Sequence, residues 1–438
     1  MNNDFEIDAI REKIERSTTD AFLEVFEFEK NSSEGSLRGV PVAIKDNILY
    51  EGHVASAGSR ILEKYVASYS STVVEKLLAA GATIVGRTNM DEFAMGSSTE
   101  NSAYKKTKNP HDLSRVPGGS SGGSAAAVGE GLVPLAFGTD TGGSVRQPAA
   151  FCGIVGFKPT YGAISRYGLI AMGSSLDQAG IFANSVGDAL TAFSVVRGKD
   201  PLDSTTIEID EETNKVETIG IPRSLIETDG IDPDVLENFE RSIEKLAASG
   251  YTVKDVEIEH IEKSLAIYYV IMPAEVSSNL ARYDGVRYGF SRESDTLAEL
   301  YARSRGEGFG DEVRRRIMLG TYVLSAGYAD AYYRKAQGLR GVIREGFNRA
   351  FKSVDVIATP TTPTPAFKIG EKASNPLAMY LADTFTVPAS ITGLPAISIP
   401  SGTVNRDGKD LPLGLQFIAP HRKDLILFTL GQDSEKII

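Results

Sequence analysis

Gly118-Gly-Ser-Ser-Gly-Gly-Ser124 and Gly138-Thr-Asp-Thr-Gly-Gly-Ser144 are two glycine-flanked serine loops within one short segment of this 438-residue chain. Glycine has no side chain and tolerates unusual dihedral angles, so the backbone can approach a ligand closely in both loops. A flexible linker of glycine and serine would not recur as a second copy beside apolar strands. The segment therefore predicts a site at which a serine hydroxyl acts as a nucleophile.

The sequence around these loops alternates between helix and strand. Residues 71–81 carry an apolar stripe that ends at a glycine, which predicts a helix, and residues 82–86 predict the strand that follows it. Residues 132–137 predict another strand, which places Ser144 at a strand-to-helix junction. This alternation is typical of a layered α/β fold.

Further helices and strands are predicted along the rest of the chain. Helices are expected over residues 4–30 and 232–250, and the region 258–351 is expected to be largely helical. Strands are expected over residues 39–44, 251–256, 354–358, 395–399 and 413–417. The acidic, turn-rich residues 199–218 predict a surface excursion.

The composition argues against several classes of protein. Lysine and arginine number 46 against 58 aspartates and glutamates, a net charge of −12, so the chain should repel polyanions such as nucleic acids. The single cysteine, Cys152, leaves no pair for a disulfide or a Cys-x-x-Cys metal site, which suits a reducing compartment. No apolar stretch is long enough to cross a bilayer. We therefore expect a cytoplasmic protein without metal or membrane, in which Cys152 is a buried, inert thiol.

A serine nucleophile needs a base, and histidine is a poor candidate here. The four histidines are His53, His111, His260 and His421, and none lies in a convincing catalytic setting. Lysine is a known alternative, provided that burial or positive neighbours remove its proton near neutral pH. Lys45 ends a short apolar strand, which suits that requirement, so the sequence favours Lys45 as the base.

These loops and this lysine resemble the amidase signature family. The family pattern is matched by Gly119–Ser124, Gly138–Pro148 and Gly156–Gly162. Lys45 fills the place of the family's catalytic lysine, 75 residues before Ser120. The resemblance implies that the chain is an enzyme that hydrolyses carboxamides.

The resemblance also implies the fold and the domain organisation. The expected fold is α/β, with a layered α/β/α arrangement and a central mixed β-sheet flanked by helices. One amidase signature domain would span residues 1–438. A mainly helical excursion around residues 258–351 would contribute to the substrate pocket.

A Ser-Ser-Lys mechanism follows from the same resemblance. Ser144 would be the nucleophile, Ser120 the bridging serine after a cis peptide bond, and Lys45 the base. Ser120 would pass the proton of Ser144 to the neutral lysine and return one to the leaving ammonia. The oxyanion hole would use backbone N–H groups of one turn, around Thr141, Gly142 and Gly143.

Within this family, the second half of the chain resembles the A subunits of tRNA-dependent amidotransferases, which act as glutaminases. The matching segments include Tyr268-Tyr269, Arg282–Tyr288, Glu312–Gly320 and Met379-Tyr380. The resemblance implies that Arg316 holds the α-carboxylate of glutamine, Asp383 its α-ammonium group, and that Tyr268 lines the pocket. From the residues alone, the run Arg314–Arg316 is more typical of a solvated basic helix face, and the resemblance reverses that interpretation for Arg316 only.

The same resemblance implies partners. B and C subunits would complete the enzyme, and a partner subunit would hold ATP and magnesium, with no cofactor in this chain. Ammonia from glutamine would convert Glu-tRNA(Gln) to Gln-tRNA(Gln), or Asp-tRNA(Asn) to Asn-tRNA(Asn). This chain would meet tRNA only through the complex, which agrees with its acidic charge.

Two alternatives remain open at this stage. A free-standing amidase for a small aliphatic or aryl amide would use the same three residues. Such an amidase would be fully active without partner subunits and would lose little amidase activity on the substitution Asp383→Ala. A non-catalytic scaffold would have no use for an intact Lys45, Ser120 and Ser144.

Overall fold

The computed structural model describes residues 5–28, 30–31, 33–213, 215–228 and 230–438, and its strands form one mixed sheet. In chain order the strands are β1 (Phe22–Val25), β2 (Pro41–Lys45), β3 (Thr83–Thr88), β4 (Leu135–Asp140), β5 (Val155–Lys158), β6 (Gln178–Ala183), β7 (Thr218–Ile221), β8 (Thr252–Asp255), β9 (Val356–Pro360), β10 (Ala396–Arg406) and β11 (Lys409–Ile418). They hydrogen-bond in the order β1-β3-β2-β4-β6-β5-β10-β11-β9-β7-β8. The sheet is parallel at β3-β2-β4 and at β9-β7-β8, and antiparallel elsewhere.

Helices cover both faces of this sheet. They are α1 (Ile7–Arg16), α2 (Thr72–Ala79), α3 (Gly122–Gly129), α4 (Arg146–Cys152), α5 (Val186–Val196), α6 (Arg223–Ile226), α7 (Pro233–Ala248), α8 (Ser264–Asn279), α9 (Leu297–Gly308), α10 (Asp311–Leu324), α11 (Lys335–Ala350), α12 (Pro376–Tyr380), α13 (Val387–Thr392) and α14 (Asp424–Ile437). No helix in the described part of the chain is long and apolar enough to span a membrane.

Alternate side chains of the central strands enter two different cores. In β2, Val42 and Ile44 pack in the larger core with α2 and α5, whereas Ala43 packs in a second core with α1 and α3. Because side chains of a strand alternate between faces, this division means that both faces of the sheet are buried. The predicted α/β fold, with a mixed sheet flanked by helices, is confirmed.

The first predicted helix is wrong in its second half. Helix α1 ends at Arg16, and residues 22–25 form strand β1, which pairs antiparallel with β3 at the sheet edge. The side chain of Phe22 is buried in the core beneath β3. Strand pairing at the sheet edge therefore outweighs the near-helical spacing of the apolar residues. A pattern over so few residues does not distinguish a helix from a strand.

The region around residues 258–351 is helical, as expected, and α8 and α10 are in close contact. A Cβ atom at Gly320 of α10 would lie 1.8 Å from the carbonyl oxygen of Pro273 in α8. Only a residue without a side chain permits this approach, so Gly320 is a packing position between the two helices. This packing holds α10, which carries Arg316, against α8, which carries Tyr268. The division of the chain into domains stays a prediction.

Candidate active site

Lys45 is the last residue of β2, at the carboxyl end of a strand buried on both faces. Its side chain is fully buried, beside the end of the neighbouring strand β4. The Nζ atom lies 2.8 Å from Ser120 Oγ, 2.8 Å from Ser121 Oγ and 2.9 Å from Thr139 Oγ1. Three hydroxyl groups therefore surround one amine, without a carboxylate in hydrogen-bond contact among the described residues.

The surroundings of Lys45 favour the uncharged amine. Burial lowers the pKa of Lys45 to about 7, although the more distant carboxylates of Asp91, Asp140 and Asp177 raise it. An ammonium ion keeps its proton when a carboxylate pairs with it, and the hydroxyls here offer only dipoles. A large fraction of Lys45 is thus a free base near neutral pH.

The hydrogen-bond directions around Lys45 single out Ser120. A neutral amine has two N–H donors and one lone pair. Ser121 donates its own hydroxyl proton to the Thr139 carbonyl at 3.1 Å, so it is an acceptor toward Nζ. Thr139 Oγ1 accepts from Asn47 as well as from Nζ. When Nζ donates to Ser121 and Thr139, its lone pair is left for the hydroxyl proton of Ser120.

Ser120 and Ser144 lie in loops that are joined through the backbone. The peptide bond between Gly119 and Ser120 is cis, and the Ser121 N–H donates to the Ser144 carbonyl at 3.3 Å. Ser144 stands between β4 and α4, as the sequence predicts, and is 7% exposed. Across the described residues, its hydroxyl forms no hydrogen bond with another protein group, so it is free to react.

The turn between β4 and Ser144 presents unused backbone donors. Within the described ranges, the N–H groups of Thr141, Gly142 and Gly143 donate to no other protein group. The Thr141 side chain and the carbonyls of both glycines are held by hydrogen bonds. Thr141 Oγ1 donates to Asp177 at 2.8 Å. The Gly142 carbonyl accepts from Thr386 Oγ1 at 2.7 Å. A fixed turn with free N–H groups is the geometry that an oxyanion hole requires.

Two close approaches explain the glycines of this turn. A Cβ atom at Gly142 would lie 2.8 Å from the ring of Tyr268. Gly143 has a φ of 146°, and a Cβ atom there would lie 2.1 Å from Thr386 Oγ1. Side chains at either position would therefore displace the residues that line the turn. Tyr268 is buried against this turn, and its place in the substrate pocket, which the resemblance implies, stays a prediction.

Arg316 is buried rather than part of a solvated helix face. Its side chain is 4% exposed, and the guanidinium carbon lies 5.4 Å from the ring centroid of Tyr269 and 5.3 Å from that of Tyr380. Its Nε donates to Glu312 Oε1 at 2.7 Å. Arg314 and Arg315 are about half exposed and pair with acidic neighbours on the same helix. Of the three consecutive arginines, the structure thus buries only Arg316.

Asp383 lies within electrostatic range of Arg316 without pairing with it. Its Oδ2 accepts from Ser97 Oγ at 2.8 Å. Burial raises the pKa of Asp383 to about 7, against the hydrogen bond from Ser97 and the charge of Arg316. Among the described residues, Arg316 pairs with Glu312 and not with Asp383. One buried cation and one buried carboxyl group therefore remain available to a zwitterionic ligand.

A cavity opens beside Arg316. It has a volume of about 220 Å³ and is lined by residues of the loop at 96–101, of α10 and of α12, among them Ser98, Glu312, Arg316 and Tyr380. Ser97, which holds Asp383, belongs to the same loop. The cavity gives a small molecule a route toward the buried arginine.

The site matches one known family. Residues 10–428 fit the sequence pattern of the family named Amidase. The chain belongs to the amidase family. The resemblance inferred from the two serine loops is confirmed.

Known amidase-family members resemble the chain over most of its length. The A subunit of glutamyl-tRNA(Gln) amidotransferase from Koribacter versatilis (strain Ellin345) is 54% identical over 408 residues, which cover 91% of this chain and 84% of that protein. The protein of the same name from Carboxydothermus hydrogenoformans is 54% identical over 398 residues, which cover 89% of this chain and 81% of that protein. The crystal structure of the corresponding A subunit from Thermotoga maritima superposes with a TM-score of 0.81 at 46% identity, covering 96% of this chain and 88% of that one.

Several residues of this amidase-family site were missed from the sequence. Ser121 and Thr139 stand in the two serine loops, but nothing in their spacing indicates that both contact Lys45. Glu312 and Tyr380 lie in the segments quoted for the family resemblance, and their contacts with Arg316 join α10 to the end of α12. These contacts depend on tertiary packing, so a pattern within one segment could not reveal them.

Proposed function

We propose that this chain is the glutaminase subunit of a tRNA-dependent amidotransferase. The observation that carries the proposal is the buried contact between Lys45 Nζ and Ser120 Oγ, beside the loop that holds Ser144. The kind of enzyme is supported by relatives at 54% identity that are named as A subunits of glutamyl-tRNA(Gln) amidotransferase. Glutamine is the substrate, and glutamate and ammonia are the products.

The first half of the reaction forms an ester on Ser144. Its Oγ attacks the carbon of the side-chain carboxamide, while its proton moves to Ser120 Oγ and the proton of Ser120 moves to Lys45 Nζ. As the C–N bond breaks, the protons return by the same route to the leaving nitrogen, which departs as ammonia. Protonation matters because an amide anion is too basic to leave.

The second half restores the enzyme. A water molecule gives its proton through Ser120 to Lys45 and attacks the glutamyl ester, and Ser144 leaves with a proton returned through Ser120. In both halves, negative charge develops on the carbonyl oxygen. The free N–H groups of Thr141, Gly142 and Gly143 stabilise this charge; losing one such donor typically costs about 10²–10³ in rate.

Glutamine is selected by its two charges. The guanidinium group of Arg316 holds the α-carboxylate, and Asp383 holds the α-ammonium group, with Tyr268 between them and the oxyanion turn. An ionised Asp383 has no cation in ion-pairing contact among the described residues, which is costly for a buried carboxylate. A substrate with both charges compensates that cost, whereas the apolar or aryl amide of a free-standing amidase does not.

The ammonia is used on a partner. B and C subunits complete the enzyme, and a partner subunit holds tRNA, ATP and magnesium, so this chain needs no cofactor of its own. The relatives' name supports Glu-tRNA(Gln) as the acceptor. We place the enzyme in the cytoplasm, where such a tRNA is charged and used.

Ammonia release from glutamine and from asparagine, measured with and without co-purified partner subunits, tests the proposal. We expect release from glutamine in the complex and its loss in Ser144→Ala. Glutamine hydrolysis that persists in Ser144→Ala would refute the mechanism. Equal turnover of uncharged amides without any partner would instead favour a free-standing amidase.

A further inference from the structure

Glu312 connects the buried Arg316 with two neighbouring side chains, those of Tyr380 and Arg315. Its Oε1 accepts from Arg316 Nε at 2.7 Å and from the Tyr380 hydroxyl at 2.9 Å. Its Oε2 pairs with Arg315. The Tyr380 ring is stacked on Tyr269 with centroids 3.9 Å apart, and both rings lie beside the guanidinium group. The side chain of Glu312 is 11% exposed and lines the cavity beside Arg316.

The contact at Nε determines which edge of the guanidinium group faces outward. A guanidinium group binds a carboxylate through two parallel N–H donors, either at the two terminal nitrogens or at Nε and one of them. Glu312 occupies Nε, which leaves the edge formed by the terminal nitrogens. Nη1 contacts only Met272 Sδ, at 3.5 Å, and Nη2 has no hydrogen-bond partner among the described residues.

We infer that Glu312 is a positioning residue for substrate binding: it fixes Arg316 so that the two terminal nitrogens face the α-carboxylate of the substrate. The inference rests on the proposed function, in which Arg316 binds glutamine. Glu312 does not touch the reacting atoms, so it should act on binding and not on chemistry. The hydroxyl of Tyr380 holds Glu312 from a second direction and shares this role.

A competing effect of Glu312 has the opposite sign. A carboxylate beside Arg316 also neutralises part of the charge that attracts the substrate. If neutralisation were the main effect, Glu312→Gln would strengthen binding and lower KM. If orientation is the main effect, the same substitution loosens the guanidinium group and raises KM.

The test is steady-state ammonia release by the full chain in its complex. We expect Glu312→Gln to raise KM for glutamine at least about ten-fold with kcat within two-fold of wild type, because hydrogen bonds to charged groups are the strong ones. Glutaramate, which keeps the carboxylate of glutamine and lacks its amine, serves as a second substrate, and its KM should rise by the same factor. The KM for 4-aminobutanamide, which lacks the carboxylate, should not change. Tyr380→Phe should give a smaller rise in KM.

Glu307→Gln is the matched control. It makes the same change of side chain on the neighbouring helix α9, but Glu307 pairs with Arg292 and Arg303 and does not contact Arg316. We expect wild-type kinetics for this variant. An unchanged or lowered KM for glutamine in Glu312→Gln overturns the inference. An equal rise of KM for both analogues with a lower melting temperature also overturns it, because this would indicate a structural role. If the wild-type complex releases no ammonia from glutamine, the proposed function fails and the inference falls with it.

Discussion

Lys45 and Ser120 are 75 residues apart in the chain, and their Nζ and Oγ atoms lie 2.8 Å apart in a site that buries both side chains completely. The lysine ends a strand, and the serine precedes helix α3 in a loop held by the backbone of Ser144. No histidine takes part in this contact. Burial, rather than a charged neighbour, lowers the pKa of this lysine to about 7, which suits the role of base in the proposed mechanism.

Lys45→Arg tests whether a positive charge or a proton acceptor is needed. Arginine keeps its proton at any ordinary pH, so it cannot accept one from Ser120. We expect glutamine hydrolysis to fall by roughly 10²–10⁴-fold, the usual contribution of a general base. Ammonia release checks the rate, and the melting temperature checks the fold. A variant with more than a tenth of wild-type activity would contradict the role of Lys45.

The pH dependence should show two groups in the free enzyme. Lys45 and Asp383 both have a pKa of about 7, and both must be deprotonated, one to accept a proton and the other to bind an ammonium group. As pH falls below about 7, log kcat/KM should therefore decline with a slope that approaches 2. Bound glutamine holds Asp383 ionised, so log kcat should decline with a slope of 1. A flat kcat/KM profile between pH 6 and 8 (roughly one unit to either side of these values) would contradict the assignment.

Ser120→Ala and Ser121→Ala should have different effects on kcat, although each removes a hydroxyl group that contacts Lys45 Nζ. Ser120 relays the proton in the proposed mechanism, so its loss should cost about 10²-fold or more in kcat. Ser121 only accepts a hydrogen bond from Nζ, which favours the charged amine. Its loss should leave kcat within about ten-fold at high pH and move the acidic limb of kcat to lower pH. The full kcat profile of each variant checks this difference.

Much of the fold could be predicted because its central elements carry strong local signals. The strand before Lys45 and the helix over residues 71–81 follow clear apolar patterns, and the structure has both. Strands β5 and β6 were missed because glycine and polar residues interrupt them. Their place in the sheet comes from pairing with β4 and β10, which are distant in sequence.

The sequence could predict only those residues of the candidate site that lie in recognisable motifs. The two serine loops and Lys45 were found because their residue types leave few chemical options. Burial of Arg316 could not be deduced from its helix, since Arg314 and Arg315 have the same side chain and are exposed. The difference arises from Tyr269 and Tyr380, which approach from other segments.

Asp383→Asn should change substrate preference. The amide keeps the size of the side chain and removes the charge that binds an ammonium group, so KM for glutamine should rise about ten-fold or more. Glutaramate, which has no ammonium group, should be hydrolysed as well by the variant as by wild type or better. Ammonia release from both compounds provides the comparison. If the variant lost the same factor in kcat/KM with glutamine and with glutaramate, Asp383 would not be the group that recognises the amine.

Arg146→Met should destabilise the fold and disorder the oxyanion turn. Arg146 and Asp140 form a fully buried ion pair at 2.9 Å, and the guanidinium group also donates to the Thr386 carbonyl and to Gln416. Burial raises the pKa of Asp140, but the charge and hydrogen bonds of Arg146 outweigh this effect and hold that pKa below its usual value. Removing the arginine leaves a buried carboxylate unpaired, which typically costs about 3–5 kcal/mol.

The second substitution Asp140→Asn tests the cause of that loss. It removes the unpaired charge, so Arg146→Met with Asp140→Asn should unfold at a higher urea concentration than Arg146→Met alone. Activity should not return, because the double variant still lacks the hydrogen bond from Arg146 to the Thr386 carbonyl, and Thr386 holds the Gly142 carbonyl. Arg334→Met, which breaks the exposed pair with Asp330, is the control and should unfold like wild type. A double variant no more stable than Arg146→Met would show that lost packing, and not the unpaired charge, causes the destabilisation.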